Sequence, residues 1–429
     1  MPTSFTGIAA ADIVLVLFLA LFLTRFAVHT GLEGLNLTHA LLSPPLPPAA
    51  LQGHVDQTTA ERSRAYTIAR ERLALAEGPV QAAVVLAVLL SGLLPWADAR
   101  LAEAGLAGLH RSVAFMVLLG ALLGLAGLPF GLIRSFGIEA RFGFNRMTFG
   151  LWLRDRAKRL LLSAALGLPF LYGVFAFMTY TGEAWWLWLF GFITAVQLIL
   201  LWLYPALIAP LFNRYTPLPA GELRARLEAL ARDAGFRTRG LYVVDASRRS
   251  AHSNAYFAGL WAPRIVLFDT LVQQLTPAEI VAVLAHEIGH FKRRHIWRRL
   301  ALSLAILLGM LLVLSLLLDW PPLFAAFGFA GPSHHAALAL VLLGGGAFTF
   351  WLEPLAALYS RRHEYEADAY AVALTGAAGP LKTALLRLNT ENLANLYPHP
   401  WYSAYHYSHP PLPRRLAALD ALAAGSRTG

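Results

Sequence analysis

The stretch HEIGHFKRRH, residues 286–295, sets two histidines at a metal-binding spacing directly before a run of basic residues. It lies in a segment from 276 to about 299 that has helical composition. In a helix, His286 and His290 leave the same face one turn apart, so both imidazoles can bind one Zn²⁺. Glu287 lies about 100° round the helix, where its carboxylate can act as general base toward a metal-bound water. The stretch therefore predicts a catalytic zinc site on a helix.

A catalytic zinc site needs a third protein ligand and leaves one position for water. Glu364 is the candidate, since the segment 360–370 has helical composition and contains no helix breaker. Asp368 lies one turn further on the same face, where its carboxylate can accept the N–H of a ligating imidazole. Glu366 points away from this face and is interpreted as a solvated charge. His363 lies on a different face and is not assigned to the site.

The composition places this chemistry at a membrane. The chain is 57 % hydrophobic with a mean hydropathy of +0.54, and only 14 % of its residues are charged. Seven apolar stretches are long enough to cross a hydrocarbon layer of about 30 Å. They lie near 11–28, 78–96, 113–132, 160–179, 184–209, 300–318 and 336–358.

Basic residues are distributed unevenly about these seven spans. All of the 35 lysines and arginines except Arg25, Arg100 and Arg111 fall on the side of the segments that follow spans one, three, five and seven. The positive-inside rule makes that side cytoplasmic, with the N-terminus outside and the C-terminus inside. Because arginine, alanine and leucine abound, the composition indicates a bacterial source, and hence the bacterial inner membrane.

The predicted fold class is an all-α polytopic membrane protein of seven transmembrane helices with a cytoplasmic-side α+β zinc metalloprotease domain. Spans one to five with their loops occupy 1–209, and spans six and seven occupy 299–358. The catalytic segment 210–298 contains a small β-sheet and the motif helix. The C-terminal catalytic segment 359–429 contains the third zinc ligand.

Short runs rich in Val, Ile, Tyr and Phe at 241–245, 255–259 and 264–268 predict a small antiparallel sheet. An exposed edge strand beside the zinc can bind an extended peptide by main-chain hydrogen bonds. The stretch 253–257 is the candidate edge, and Asn254 can hold the scissile backbone. The alternative for Asn254 is that it caps a turn.

Composition also excludes several functions. The chain has no cysteine, which rules out disulfides, thiolate zinc ligands and cysteine catalysis. The net charge of +10 comes from basic residues that flank the spans. They do not form a patch with interleaved aromatic residues, so no nucleic-acid partner is predicted. Their predicted partner is the anionic surface of the lipid bilayer.

These motifs together resemble the CAAX prenyl protease 1 family, seven-span zinc endopeptidases of the gluzincin type. The matching stretches are FGIEARFGFNRMT at 136–148, IAPLFNRYTPL at 208–218, SAHSNAYF at 250–257, RIVLFDTL at 264–271, HEIGH at 286–290, and the segments 361–370 and 407–415. The resemblance implies a large water-filled chamber enclosed by the seven helices. It also implies that Asn254 contacts the substrate backbone, and that His409 with Arg415 approaches the substrate or the developing oxyanion.

The predicted function is a zinc-dependent membrane endopeptidase acting on membrane-associated or CAAX-type polypeptides, including prenylated ones. The resemblance implies one Zn²⁺ per chain, bound by His286, His290 and Glu364. One alternative is a site-2-type intramembrane-cleaving metalloprotease, which would place the motif inside a span and use an aspartate ligand. Another is a non-enzymatic membrane chamber or transport protein with a structural zinc, which would not need Glu287.

Overall fold

The computed structural model describes residues 3–44, 46–259 and 263–425 of the 429-residue chain. Among these residues, seven helical segments are long and apolar enough to cross a membrane, as predicted. They are Ala9–Leu42, Gln57–Leu90, Gly108–Glu139, Phe149–Tyr180, Gly182–Leu211, His295–Leu318 and His334–Thr375. Six of them have 30 to 42 residues, or about 45–63 Å at 1.5 Å per residue, against a hydrocarbon layer of about 30 Å. The protein is therefore an integral multi-pass membrane protein whose helices extend past the bilayer.

The membrane helices form because lipid offers no hydrogen bonds, so an apolar chain must pair its backbone groups internally. The sequence predicts a second span at 78–96, whereas the helix ends at Leu90 because Gly92 has a left-handed conformation with φ 76°. The helices are α1 Thr3–Leu42, α2 Gln57–Leu90, α3 Leu93–Glu103, α4 Gly108–Leu132, α5 Phe149–Tyr180, α6 Trp185–Leu203, α7 Glu222–Asp233, α8 Asp269–Gln274, α9 Pro277–Lys292, α10 His295–Leu318, α11 Pro321–Ala326, α12 His334–Gly344, α13 Gly346–Thr349, α14 Glu353–Thr375, α15 Gly379–Glu391, α16 Pro400–His406 and α17 Leu412–Gly425.

A small sheet precedes the motif helix. Its strands are β1 Tyr215–Pro217, β2 Leu241–Val244, β3 Ala255–Ala258 and β4 Arg264–Phe268, in the order β1-β2-β4-β3. β3 therefore forms an edge, in agreement with the prediction for this stretch. The prediction of a purely antiparallel sheet is wrong, because β2 and β4 pair in parallel. β3 folds onto β4 as an antiparallel hairpin and takes the edge, which leaves β4 beside β2 and running in the same direction.

The motif helix α9 begins with a reciprocal capping interaction and ends earlier than the sequence predicts. Thr276 Oγ1 accepts the Glu279 N–H, and the Glu279 carboxylate accepts the Thr276 N–H. The predicted continuation to about residue 299 is wrong, since α9 ends at Lys292 and α10 begins at His295. Arg294, between them, has a left-handed conformation with φ 58°. This conformation interrupts the helical hydrogen bonds and turns the chain into the sixth span.

Separate apolar cores support the two parts of the molecule. One lies among the membrane helices, and the other lies under the sheet and around α9, where Ile280, Leu284 and Ile288 are buried. Arg249, which lies between β2 and β3, connects the two parts. Its guanidinium donates to both carboxylate oxygens of the buried Asp155 on α5, at 2.8 and 3.1 Å. The sheet and α9 are thereby held against the ends of the membrane helices.

Candidate active site

Two closely packed helices carry the predicted metal ligands. α9 presents His286 and His290, and α14 presents Glu364. Gly289 faces α14 so closely that a Cβ at this position would lie 3.0 Å from the Ala367 carbonyl oxygen and 3.1 Å from the Ala367 Cα. A side chain at this position would require α14 to move by a few tenths of an ångström, so glycine allows the close approach that brings the glutamate beside the two histidines.

The three side chains converge with their ligand atoms at metal-binding separations. His286 Nε2 lies 3.2 Å from His290 Nε2 and 3.5 Å from Glu364 Oε2, and His290 Nε2 lies 3.3 Å from Glu364 Oε1. Tetrahedral zinc with bonds of about 2.0–2.1 Å separates its ligand atoms by about 3.3 Å. Glu364 is 2 % exposed, and its Oε2 has no hydrogen-bond partner among the described residues. Two imidazole nitrogens and a buried carboxylate at these separations form a donor set that fits one zinc ion.

One further group of ligand-type side chains occurs in the described part of the chain. Atoms of His29, Glu33 and His406 lie within 4.8 Å of one another. The His29 Nε2 and Glu33 Oε1 atoms are 3.9 Å apart, which is wider than the roughly 3.3 Å between ligands of tetrahedral zinc. The group on α9 and α14 is therefore the one whose separations match a zinc site.

A carboxylate on α14 holds the outer nitrogen of the first histidine. His286 Nδ1 lies 2.8 Å from Asp368 Oδ1, so the imidazole donates through Nδ1–H and keeps Nε2 for a metal. Arg415 donates to both oxygens of Asp368, at 2.6 and 2.7 Å, and is only 7 % exposed. Its Nη1 also lies 3.4 Å from Glu364 Oε2. The structure thus places Arg415 against Asp368 and against Glu364, one of the predicted metal ligands.

The second histidine has outer partners that the sequence pattern does not indicate. His290 Nδ1 lies 3.0 Å from His295 Nδ1, and His295 Nε2 lies 3.1 Å from Glu366 Oε2. The interpretation of Glu366 as a solvated charge is therefore wrong, and His363 lies nearby, stacked on His295. The available signals were a histidine shortly after the motif and a glutamate two residues after the third ligand. Neither signal is specific without the turn at Arg294 that brings these side chains together.

The remaining predicted site residues differ in how closely they approach the ligands. Glu287 is partly buried, and burial raises the pKa of its carboxyl above the ordinary value. His409 Nε2 lies 3.4 Å from Glu364 Oε1, while the His409 side chain is 65 % exposed. Asn254, directly before β3, is exposed, and its Oδ1 accepts the N–H of Ala255 at 2.8 Å. No described residue accepts from the Asn254 amide N–H₂, which leaves this group free to donate to another molecule.

Both halves of the chain match known protein families. Residues 37–214 match the family described as CAAX prenyl protease N-terminal, five membrane helices, and residues 217–423 match peptidase family M48. The CAAX prenyl protease 1 homolog of Oryza sativa subsp. japonica is 39 % identical over 402 residues, covering 89 % of this chain and 92 % of that protein. The CAAX prenyl protease 1 of Saccharomyces cerevisiae is 36 % identical over 405 residues, covering 87 % and 88 %.

The fold is also that of a solved relative. The crystal structure of S. mikatae Ste24p superposes with a TM-score of 0.88 at 32 % identity, covering 95 % of this chain and 99 % of that one.

These relatives are eukaryotic and give no support to the bacterial source, which remains a prediction from composition. The peptidase match sets aside both the site-2-type alternative and the non-enzymatic one. We conclude that this chain belongs to the CAAX prenyl protease 1 family of M48 peptidases, which makes it a metal-dependent endopeptidase of the membrane.

Proposed function

We propose that this protein hydrolyses peptide bonds of membrane-associated polypeptides with one Zn²⁺ per chain, held by His286, His290 and Glu364. The observation that carries the proposal is the set of separations between the three ligands, 3.2, 3.3 and 3.5 Å, which agrees with tetrahedral zinc. Glu364 Oε2 is buried and accepts no hydrogen bond from the described residues, although Arg415 Nη1 lies 3.4 Å from it, and this burial beside the two imidazoles supports the same ligand set. Two imidazoles and a carboxylate also leave the fourth position that a hydrolytic site requires.

When bound, the zinc ion supplies Lewis-acid polarisation of the attacking water and of the scissile carbonyl. Glu287 is the proposed general base, since it follows His286 on α9 and lies about 100° round the helix from it. The carboxylate accepts a proton from the water as the oxygen attacks the carbonyl carbon. It then donates that proton to the amide nitrogen, which leaves as an amine when the C–N bond breaks.

The substrate backbone is proposed to lie along the free edge of β3, as an added strand. Asn254 supports this arrangement because its amide N–H₂ is free to donate to a substrate carbonyl. His409, close to Glu364, is proposed to donate a hydrogen bond to the developing oxyanion. Arg415 is proposed to act through Asp368, by keeping that carboxylate aligned on His286. A direct contact of Arg415 with the oxyanion remains a prediction from the family resemblance.

The proposed substrates include prenylated polypeptides that end in a CAAX motif, together with unprenylated membrane-anchored ones. The names of the relatives in rice and yeast support this class. The segments 210–298 and 359–429 are proposed to form the catalytic side, on spans contributed by 1–209 and 299–358. This side is proposed to face the cytoplasm, because the basic residues of the loops gather there.

The Glu287→Gln variant tests the proposal. The amide keeps the size of the side chain but cannot accept the proton of the water, so cleavage of a farnesylated CAAX peptide should stop while zinc remains at one per chain. Glu228→Gln is the matched control, since Glu228 is a partly exposed residue of α7 paired with Arg224. This control should cleave at the wild-type rate. Cleavage near the wild-type rate by Glu287→Gln would rule out the proposed base, and purified wild-type protein without zinc would rule out the ligand set.

A further inference from the structure

The two proposed zinc-binding imidazoles are held in different ways. His286 Nδ1 meets a carboxylate directly, with Asp368 Oδ1 at 2.8 Å. His290 Nδ1 meets a second imidazole, with His295 Nδ1 at 3.0 Å, and the other nitrogen of that ring lies 3.1 Å from Glu366 Oε2. The carboxylate of Glu366 therefore reaches His290 only through the intervening ring of His295.

This contact depends on the turn between α9 and α10. Residues five apart in one continuous helix point about 140° away from each other, so His290 and His295 would not meet there. Arg294 has φ 58°, ends the helix and folds the chain so that the first residue of α10 returns to the end of α9. A left-handed conformation at a non-glycine residue costs energy that the surrounding contacts must offset, and such strained residues cluster at functional sites.

The surroundings fix the ring of His295. It is 1 % exposed and stacks on His363, with ring centroids 3.9 Å apart and 11° between the ring planes. Both ring nitrogens of His363 lack a hydrogen-bond partner among the described residues, so this second ring supplies packing alone. Glu366 is held in turn by Arg362, whose Nε lies 3.2 Å from Oε1.

Metal binding determines which ring nitrogens carry hydrogens in the hydrogen-bonded series His290–His295–Glu366. A neutral imidazole that gives Nε2 to a metal carries its hydrogen on Nδ1. His290 then donates from Nδ1–H to His295 Nδ1, which leaves the hydrogen of His295 on Nε2, where it donates to Glu366. Every donor has one acceptor, and the chain ends on a carboxylate, as is usual for the outer partners of metal-binding histidines.

We propose that His295 and Glu366 are positioning residues that hold the His290 ring in its metal-binding orientation and thereby set the affinity for zinc. The inference rests on the proposed zinc ligands and adds to that site two residues that the motifs do not predict. Loss of an outer partner of a metal ligand typically weakens metal binding by about 10–100-fold. We expect a weakening of that size when the hydrogen bonds of His295 are removed.

The test measures the dissociation constant for Zn²⁺ in the purified full-length protein, by competition with a chelator of known affinity. His295→Phe keeps an aromatic ring and the stack but removes both hydrogen bonds, so binding should weaken by about 10–100-fold. His295→Asn retains an acceptor oxygen near the position of Nδ1 and should show a smaller loss. His363→Phe is the matched control, because it replaces the stacked ring that makes no hydrogen bond, and it should bind zinc as the wild type does.

Glu366→Ala removes the carboxylate at the far end of this hydrogen-bonded series, at a partly exposed position. It should weaken zinc binding without changing the size-exclusion profile, and it decides the question if His295→Phe does not fold. Wild-type affinity in Glu366→Ala and in the folded His295 variants overturns the proposal. An equal loss in His363→Phe also overturns it, because packing would then set the affinity. If the wild-type protein fails to bind zinc, the proposed ligand set is refuted. If the wild type binds zinc and the variants bind it equally well, only the positioning role of His295 and Glu366 is refuted.

Discussion

Replacing Gly289 by alanine is expected to weaken the zinc site without changing a ligand. Gly289 is buried on α9 and faces α14. A Cβ there would lie 3.0 Å from the carbonyl oxygen of Ala367, 3.1 Å from its Cα and 3.2 Å from Tyr370 Cβ. Because these are backbone and Cβ atoms, they cannot rotate away, and α14 must move as a body.

The size of the movement follows from ordinary contact distances. Carbon atoms in contact settle at about 3.5–4.0 Å, so α14 must retreat by roughly 0.5 Å. Glu364 lies on α14 one turn before Ala367 and moves with it. Zinc sites tolerate deviations of about 0.2 Å in ligand distance, so this displacement takes the carboxylate out of range.

The effect on folding is expected to be smaller than the effect on zinc. Alanine favours a helix over glycine by up to about 1 kcal/mol, whereas overpacking a core costs about 1–3 kcal/mol. The two terms oppose each other and leave a net loss of about 0–2 kcal/mol in the free energy of unfolding. The variant should therefore fold and retain its thermal transition within a few degrees.

The assay combines chelator competition for zinc with thermal unfolding of the metal-free protein. The zinc affinity of Gly289→Ala should fall about tenfold or more, which is the size of loss seen when a metal ligand loses its orienting partner. Gly309→Ala, in α10, is the control, since a Cβ there meets nothing within 4 Å, and its affinity should not change. Zinc affinity of Gly289→Ala within twofold of the wild type would refute the reasoning, because α14 would then accommodate the methyl group without moving Glu364.

Three further predictions concern the ligands, the substrate contacts and the topology. Glu364→Ala should lower zinc from one per chain to near zero in elemental analysis, and unchanged zinc would remove this residue from the ligand set. Asn254→Ala should cost about 1–3 kcal/mol in kcat/KM through a lost substrate hydrogen bond, and His409→Ala should lower kcat by about 10²–10³; equal effects would show that the two roles are not separate. Gln273→Cys and Ala424→Cys, at exposed positions of this cysteine-free chain, should react with an impermeant thiol reagent only after cells are opened. Labelling of either position in intact cells would reverse the proposed orientation.

The sequence by itself determined the features that depend on local periodicity. Residues four apart in a helix share a face, so His286 and His290 were expected side by side, as was Asp368 one turn after Glu364. The seven spans were equally predictable from the sequence, because crossing a bilayer requires about 20 consecutive apolar residues, independently of how the rest of the chain folds. The edge position of β3 also agrees with the prediction from the sequence.

Only the tertiary structure decided the contacts between distant segments and the effects of single backbone turns. Arg415 reaches Asp368 across 47 residues of sequence, and no periodic pattern relates the two. His295 meets His290 because Arg294 takes a left-handed conformation, which residue type alone does not predict for an arginine. β2 pairs with β4 in parallel, while β3 forms the antiparallel hairpin on the other side of β4. These features depend on how whole helices and strands pack against each other, and hydrophobic periodicity encodes only which face of each element is buried.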